Sequence, residues 1–304
     1  MTSVSAVSLA IADAARSSAT TAALAVALRG RRCSLLVGDT EIVSLPDGLR
    51  VTFAIEKTDT RTANKATITI ANLSRDTRAR IEAAGQQRVI LEAGYTNAVG
   101  AVFTGTAYRA NTKQVGADLI TTLECADGGK EIGRQAGAWS FSRGASVAAI
   151  VGELVAALGL PLSSGSRIAP SRPTLPRAWA FAGGVAGALD SITAATGLVW
   201  SVQDGQVQVF DAADVSDGSE AVRLSAASGM VGSPEPVEVK EGDKVVGRVS
   251  VVALIQPQIR PSRVVEVDSI VRPELSGVYV VRKQKITGDS HGPDWTTTLE
   301  LSRR

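Results

Sequence analysis

The spacing of the apolar residues changes twice along the chain, and these changes constrain the fold more than any other feature. Up to about Asp127, apolar and polar residues alternate, as they do in strands with one buried face. From Arg143 to Phe210 the apolar spacing is largely helical, and from about Gly229 the alternation returns. This order predicts a mainly β fold with an inserted α+β unit.

The N-terminal β segment contains one especially clear alternating stretch. Leu49, Val51, Phe53 and Ile55 fall on one face of a predicted strand, and more polar residues fall on the other. Several short strands separated by turn residues are typical of a barrel or a sandwich. The other elements predicted here are strands at Ala66–Ile70, Val89–Ala93, Val102–Tyr108 and Leu119–Cys125, and a helix at Arg75–Ala84 that Ser74 caps and Gly85 ends.

The middle segment predicts two helices followed by a hairpin. Apolar residues at helical spacing predict a helix from Val147 to Leu158, and a second helix from near Gly184 to Gly197. The pair Asp204-Gly205 lies between two alternating runs, which is a strong signal of a two-residue hairpin turn. The turn and the apolar pattern agree on the cross-strand pairs Gln203–Gln206, Val202–Val207 and Trp200–Val209.

The C-terminal segment carries strand patterns again. Val249, Val251 and Ala253 alternate with more polar residues, and the final strand presents Trp295 and Leu299 on one face. Further strands are predicted at Val264–Val267 and Val278–Val281, with a loop at Gly288–Asp294.

Composition argues against several classes of protein. The 304 residues are enough for two domains or one large one, and 44% apolar residues can build a substantial core. The 32 Lys and Arg residues nearly balance the 30 Asp and Glu residues, which does not suggest a protein committed to nucleic acid or to an anionic membrane. Five Phe, four Trp and three Tyr are few for a protein that stacks single-stranded bases.

The two cysteines do not form a disulfide framework or a Cys-rich zinc site. Cys125 lies on the apolar phase of a predicted strand, which favours a small core residue. Cys33 follows Arg31 and Arg32, whose charges could lower the pKa of its thiol, but no other feature indicates reactivity.

The single histidine, His291, lies in a loop with Asp289, Ser290 and Asp294. One interpretation is a general base or a metal ligand, and the other is an ordinary turn, which this Gly, Asp and Pro composition favours. No Gly-x-Ser-x-Gly pattern occurs, so the sequence does not indicate the nucleophile of a Ser-His-Asp triad.

Two glycine and arginine clusters have structural and functional interpretations. Glycines near the start of the second predicted helix lack a phosphate-loop pattern, so they predict a helix cap and close packing. A basic cluster near the N-terminus is compatible with phosphate contacts or with a solvated helix end. These residues are Gly183, Gly184 and Gly187, and Arg29, Arg31 and Arg32.

The first 28 residues are rich in alanine and predict a helical arm. No Lys or Arg precedes Arg16, so the segment does not have the charge order of a secretion signal. The longest apolar helical run, Val147–Leu158, contains Glu153 and is too short to span a membrane. We expect the apolar residues of the arm to contact a neighbouring chain. These candidate interface residues are Val4, Val7, Ile11, Leu24, Val26 and Leu28.

Three stretches, taken together in their order and spacing, resemble the baseplate hub family of bacteriophage tails. The stretches are Leu49–Lys57 with Ala66–Ser74, Gly229–Pro236 with Leu254–Pro261, and Thr287–Trp295. The Ala-rich arm lies outside this resemblance.

The resemblance implies a structural protein of the virion, assembled in the host cytoplasm. It implies a homotrimer in which each subunit carries two tube-like β-barrels and a small two-helix and hairpin domain. Six barrels would adapt the sixfold tail tube to a threefold central spike and form part of the ejection channel. Implied partners are the tail tube or distal tail protein, the spike, baseplate wedge proteins and the tape measure protein, with no sequence-specific nucleic-acid binding. The family motifs place no catalytic, cofactor-binding or metal-binding residues on this chain.

The domain boundaries expected from this plan are as follows. Residues 1–32 form the arm, 33–130 the first barrel and 131–211 the α+β domain. Residues 212–304 form the second barrel, which could borrow strands from the middle region. The alternatives to a structural hub are a peptidoglycan-binding module and a cell-wall-degrading tail-tip module. Binding of the middle fragment to peptidoglycan would favour the first of these alternatives.

Overall fold

One large sheet organises the described part of the chain, which is residues 28–128, 135–168, 174–212, 220–241 and 244–304 of a computed structural model. Within these residues, thirteen strands form the large sheet, and two further two-stranded sheets lie in the middle segment. The sheet is antiparallel except where its shortest strand pairs with a neighbour in parallel. The N-terminal and C-terminal β segments therefore join in a single hydrogen-bonded sheet.

The elements follow the order that the apolar spacing predicts. In chain order they are β1 (Arg31–Val37), β2 (Thr40–Leu45), β3 (Val51–Thr58), β4 (Lys65–Ala71), α1 (Arg75–Ala83), β5 (Gln87–Tyr95), β6 (Ala98–Val115), β7 (Asp118–Ala126), β8 (Ala136–Phe141), α2 (Val147–Leu158), β9 (Trp179–Gly184), α3 (Val185–Thr196), β10 (Leu198–Gln203), β11 (Gln206–Asp211), β12 (Val222–Leu224), β13 (Met230–Glu241), β14 (Lys244–Leu254), β15 (Val264–Val267), β16 (Gly277–Asp289) and β17 (Trp295–Arg303). Short 3-10 turns occur at Ala226–Ser228 and Pro273–Leu275.

The strand order of the large sheet is β13-β14-β17-β16-β3-β4-β7-β6-β5-β1-β2, with β15 beside β16 and β12 beside β15. Strand β16 joins the two halves. The first part of β16 pairs with β15, and the part from Lys283 onward pairs with β3. The sequence-based prediction of a mainly β fold is confirmed, and β16 is the element that makes the two halves continuous.

A bulge marks the point where the neighbours of β16 change. The pairing of β16 with β17 shifts between Val281 and Lys283, so Arg282 is the extra residue. The guanidinium of Arg282 donates to Asp59 Oδ2 at 2.8 Å and to Ser302 Oγ at 2.8 Å. The amide of Asp59 in turn donates to the Arg282 carbonyl at 3.0 Å. The junction is therefore held by side-chain and backbone contacts together.

The residues that the structure describes form three separate hydrophobic clusters. The first is formed by inward residues of β1–β7 and α1, joined by Ile255, Ile286 and Trp295 from the C-terminal segment. The second belongs to α2, α3 and the β10–β11 hairpin. The third is formed by β12–β17 and includes Tyr279, Leu299 and Leu301. The large sheet thus covers two cores, one in each half.

The middle segment forms as the sequence predicts. Helix α2 has the predicted bounds, and the hairpin has the predicted pairs between β10 and β11. Asp204 (φ 53°) and Gly205 (φ 79°) both have positive φ, which a type I′ turn requires. Strands β8 and β9 form a separate antiparallel ribbon. On its inner face Phe141, Trp179 and Phe181 stack in a row against the second cluster.

Candidate functional site

The outer face of the central strands is polar and rich in threonine. Successive residues of a strand point to opposite faces of the sheet, so every second residue of these strands lies on the outer face and the others lie on the buried face. Threonine suits this surface because its branched side chain packs well on a pleated sheet and its hydroxyl is hydrated. The polar face consists of Thr52, Ala54 and Glu56 on β3, Lys65, Thr67 and Thr69 on β4, Ile120, Thr122 and Glu124 on β7, Arg109, Asn111 and Lys113 on β6, Lys283, Lys285, Thr287 and Asp289 on β16, and Thr296, Thr298 and Glu300 on β17.

Charges on the polar face are matched across neighbouring strands. Arg109 lies 3.4 Å from Glu124, and Lys283 lies 3.8 Å from Glu300. Glu56 is opposite Lys65 on one side and Lys285 on the other. Exposed pairs of this kind contribute little to stability, about 0–1 kcal/mol each. Their main consequence is a surface with no large region of one sign.

The polar face ends at two strand edges, and neither has a neighbour among the described strands. On one side, β5 pairs with β6 only from Ala98 to Ala107, which leaves the edge of Tyr108–Val115 open. On the other side, β13 pairs only with β14. Between these two edges the strands run β6-β7-β4-β3-β16-β17-β14-β13, so the face spans eight strands once it is extended to Ser250 on β14 and Glu235 on β13.

The two open edges differ in charge. The β6 edge presents the exposed Arg109 and Lys113. The β13 edge presents the exposed Glu235 on the polar face, and the exposed Glu238 and Lys240 on the other face. Glu235 is opposite Ser250, whose β17 partner is Glu300, so it lies on the polar face. On the polar face the edges therefore differ in charge, with cations at β6 and a carboxylate at β13.

The Gly288–Asp294 loop joins β16 to β17 and is held by two arginines. The Arg50 guanidinium donates to both carboxylate oxygens of Asp289, at 3.1 and 2.6 Å. Arg31 donates to the carbonyls of Gly292 and Pro293 and lies 5.4 Å from the centre of the Trp295 ring. The hydrogen bonds from Arg50 hold the pKa of the Asp289 carboxyl below its usual range.

These contacts account for His291 and its neighbours. Ser290 Oγ accepts from the Val51 amide at 2.9 Å and lies 2.8 Å from His291 Nδ1. Asp289 accepts from the backbone amide of His291, and its side chain faces Arg50. The Ser, His and Asp side chains therefore do not have the order of contacts that a catalytic triad needs. The turn interpretation is the one that the geometry supports.

The basic residues near the N-terminus also have structural positions. Arg31 and Arg32 lie in β1, so the expected helix end is wrong for these two residues. Arg31 reaches the β16–β17 loop, as described above. The glycines near α3 behave as predicted, because Gly184 is the residue that caps the N-terminus of that helix.

Both cysteines are buried and unreactive by environment. Burial raises the pKa of the Cys33 thiol to about 12, in spite of a hydrogen bond with Ser44. Burial likewise raises the pKa of Cys125 to about 12. The neighbouring arginines do not lower the pKa of Cys33, because its side chain points into the first core. The prediction that Cys125 is a core residue is confirmed.

A buried polar cluster attaches the β10–β11 hairpin to the first half of the sheet. Lys57 Nζ donates to Asp204 Oδ1 at 2.6 Å. Asp127 accepts from the amides of Asp204 and Gly205, at 2.6 and 2.9 Å. Asn64 Nδ2 donates to the Val202 carbonyl at 2.9 Å. The sequence identifies the turn but gives no sign of this contact.

Burial dominates the chemistry of that cluster. Asp127 has no exposed surface and Lys57 is 2% exposed. Burial, followed by the neighbouring charge of Asp204, raises the pKa of Asp127 to about 6, although Lys57 and the two amides act in the opposite direction. The cluster is a structural attachment, because its polar groups bond to one another rather than facing an open cavity.

The arm residues Val4, Val7, Ile11, Leu24 and Val26 lie outside the described residues. Leu28 is described, and it packs against the first hydrophobic core. A Cβ atom placed on Gly229 would lie 3.0 Å from Leu28 Cδ1, so the chain passes close to the start of β13.

The described ranges have two properties that bear on other functions. In these ranges no three His, Cys, Asp or Glu side chains come together in a way that could hold a metal ion. No helix of the same residues has the length and apolarity needed to cross a membrane.

Solved structures with this fold include tail proteins and a secretion component. A tail protein from Neisseria meningitidis superposes with a TM-score of 0.62 at 14% identity, over 90% of this chain and 96% of its own. The 43 kDa tail protein of prophage MuSo2 from Shewanella oneidensis gives 0.62 at 9% identity, over 90% and 97%. The E. coli c3393 protein, a component of the type VI secretion system, gives 0.58 at 9%, over 89% and 76%. The fold is therefore one that phage tail proteins share.

Sequence comparison identifies the family. The model of the family described as baseplate hub gp41 matches residues 32–301, and the chain belongs to that family. No curated protein matches the sequence. The resemblance to tail baseplate hubs is thus confirmed, and the chain is a phage tail baseplate protein of the virion.

Proposed function

We propose that the chain is the structural hub of a phage baseplate, a homotrimer that adapts a sixfold tail tube to a threefold spike. The observation that carries this proposal is the eight-stranded polar face between two open edges of opposite charge. Each open edge exposes unpaired backbone N–H and C=O groups, and such edges tend to pair with strands of another chain. A neighbouring copy can supply the missing contact on each side.

The two open edges are on opposite sides of the sheet, so their contact is head-to-tail. Such heterologous contacts close into a ring when the rotation per copy closes. Arg109 and Lys113 of one copy would then lie near Glu235 of the next, which is the exposed β13 carboxylate on the same face. Pro236 removes one amide donor from β13, which limits strand pairing to a short and defined register.

The two hydrophobic cores of the sheet support the change in symmetry. Each core belongs to one half of the large sheet, and β16 joins the halves. Three copies would present six sheet halves to a sixfold tube. All remaining parts of the subunit would occur three times, which matches a threefold spike. We propose that the halves correspond to the two tube-like barrels, with boundaries near residues 33–130 and 212–304 and the α+β domain at 131–211.

We propose that the polar face lines the ejection channel. A DNA-binding surface gains affinity from many cations on phosphates. Here five cations, Arg109, Lys113, Lys65, Lys283 and Lys285, are interspersed with five carboxylates, and seven threonines separate them. A hydrated surface of mixed charge lets DNA pass without holding it. The function is structural, with no catalytic step.

The remaining partners follow from the same position in the particle. One end of the ring would contact the tail tube or distal tail protein, and the other would hold the central spike. Baseplate wedge proteins would surround the ring, and the N-terminal arm would contact a neighbouring subunit or the tape measure protein.

A charge-reversal experiment tests the proposed contact. Lys113→Glu and Glu235→Lys should each reduce the trimeric fraction by at least tenfold, because each places like charges at the contact. The two changes combined in one chain should restore assembly, since they exchange the charges. Glu153→Lys, an exposed reversal on α2, is the matched control and should assemble normally. Unchanged assembly of both single variants would refute the proposed edges.

A further inference from the structure

A cleft separates the middle segment from the junction of the two sheet halves. Its volume is about 900 Å³. Residues of the β3–β4 connection, α3, β10, β13, β14 and β16 contribute to it. They include Arg61, Asp190, Val199, Trp200, Lys240 and Arg248. The volume is within the range of about 300–1,000 Å³ that is usual for ligand sites.

One wall of the cleft is the outer edge of strand β10. Residues that flank a two-residue turn form a hydrogen-bonded pair, and such pairs alternate along an antiparallel ladder. Gln203 flanks the turn, so the backbone groups of Val202, Trp200 and Leu198 point away from β11. The Val202 carbonyl confirms this direction, because it accepts from Asn64 Nδ2 at 2.9 Å.

On the opposite edge of the hairpin, along β11, the outward backbone groups of Val207 form hydrogen bonds with a neighbouring segment. The Val207 amide donates to the Pro161 carbonyl at 2.9 Å, and its carbonyl accepts from the Ser163 amide at 2.7 Å. On the β10 edge, the outward groups of Leu198 and Trp200 have no hydrogen-bond partner within the ranges that the structure describes. They face the cleft, where an added strand could bond to them.

The charged residues around the cleft favour an occupant with carboxylates. Arg61, Lys240, Arg248 and Arg282 contribute four positive charges, against two carboxylates, Asp59 and Asp190. Asp59 pairs with Arg282 at 2.8 Å and Asp190 pairs with Arg61, so the lining keeps an excess of two positive charges. Lys240 is exposed at the rim. Charge complementarity therefore points to an acidic partner rather than to a basic or neutral one.

We propose that this cleft binds an extended, carboxylate-bearing segment of a partner protein, which adds as a strand to the open edge of β10. Main-chain hydrogen bonds to Leu198 and Trp200 would supply affinity, and the cations would select acidic side chains. A six-residue segment would span about 20 Å, which matches the length of β10. The inference does not depend on trimer formation.

The direct test uses three labelled peptides on the full-length protein. The first is a hexapeptide of alternating valine and glutamate with blocked ends, and the second replaces glutamate by lysine. The third is the glutamate peptide with alternate amides N-methylated on the edge that would face β10. We expect only the first peptide to bind, with anisotropy changes and with amide shifts confined to the β10 edge. No binding at millimolar peptide, or equal binding of the methylated peptide, would overturn the proposal.

Two variants and two competitors separate the other possible occupants. Lys240→Glu should weaken binding of the glutamate peptide at least fivefold, and Lys65→Glu, a matched reversal on the polar face, should leave it unchanged. Inorganic sulfate is added at the same concentration as the carboxylates of the bound peptide. Complete displacement of the peptide by this sulfate would show that the cleft is only an anion site and would overturn the proposal. Dissociation of the protein's own assembly by the peptide would identify a second copy as the occupant, and would also overturn it.

Discussion

Lys57 and Asp204 form a salt bridge of 2.6 Å across 147 residues of chain, with the lysine side chain almost completely buried. The contact lies where the hairpin turn of the middle segment meets the end of β3. The same Asp204 oxygen also accepts from the Thr104 amide at 3.2 Å. This pair therefore fixes the position of the middle segment against the first half of the sheet.

Removing one partner of that pair should be costly. We expect Asp204→Ala to lower the free energy of unfolding by about 3 kcal/mol, because it leaves the buried Lys57 ammonium without its carboxylate. Urea denaturation measures the change. The double variant Lys57→Met with Asp204→Asn should regain most of the loss, since no unpaired buried charge remains. A single variant as stable as the parent would show that Lys57 is hydrated in solution.

The buried carboxyl of Asp127 predicts a pH dependence. Its pKa is raised to about 6 from the ordinary 3.8, so between these values the folded protein holds a proton that the unfolded chain has lost. The contribution of this proton to stability is complete below pH 3.8 and is lost as the pH rises through 6. Between pH 4 and pH 6.5, the free energy of unfolding of the parent should therefore fall by about 2–3 kcal/mol relative to that of Asp127→Asn.

Comparing the two proteins by urea denaturation at each pH cancels the contributions of other titrating groups. A difference between parent and variant that stays constant from pH 4 to pH 6.5 would show that Asp127 is ionised throughout.

Sequence patterns gave the order of the elements and one register, and they failed on contacts between distant segments. The hairpin turn follows from Asp204-Gly205, but its attachment to Asn64 and Asp127 depends on tertiary placement that no local pattern encodes. Lys57 continues the inward phase of Leu49–Ile55, yet a lysine there is normally taken as the end of a buried face. The alternation of buried and exposed positions therefore continues for two residues beyond Ile55, to Lys57, although lysine is not an apolar residue.

Strand β13 was also not visible from its sequence. Pro234 and Pro236 argue against a strand, because proline cannot donate to a ladder. The structure permits them because β13 is an edge strand of the described sheet. The β8–β9 ribbon was missed for another reason, since its two strands are far apart in sequence and Ala and Gly occupy most of its outer face. The polar face combines strands from both ends of the chain, so only the assembled sheet reveals it.

The close packing at the end of β16 predicts that an alanine substitution there destabilises the protein more than one at an unpacked strand glycine. A Cβ atom on Gly288 would overlap the Phe53 ring, which also packs edge-on against Trp295 at 5.5 Å. We expect Gly288→Ala to destabilise the protein by about 1–3 kcal/mol through overpacking. Gly247→Ala is the matched control on a strand, because nothing lies within 4 Å of its Cβ position. Equal melting temperatures for the two variants would contradict the packing described for β3 and β16.

The burial of both thiols predicts slow alkylation. With pKa values of about 12, Cys33 and Cys125 have almost no thiolate at pH 7.5. Iodoacetamide should therefore label them at least a hundredfold more slowly than a cysteine introduced at the exposed Val245. Mass spectrometry of the labelled protein resolves the sites. Rapid labelling of either native cysteine without denaturant would show that its core opens readily.

The measurement that tests the central claim most directly is the mass of the purified chain in solution, by light scattering over a wide range of concentrations. Two open edges that differ in charge predict a head-to-tail contact between copies, and the proposed hub closes this contact as a ring of three. The account predicts a particle of three times 31.4 kDa. A mass that remains at 31.4 kDa at every concentration would contradict it.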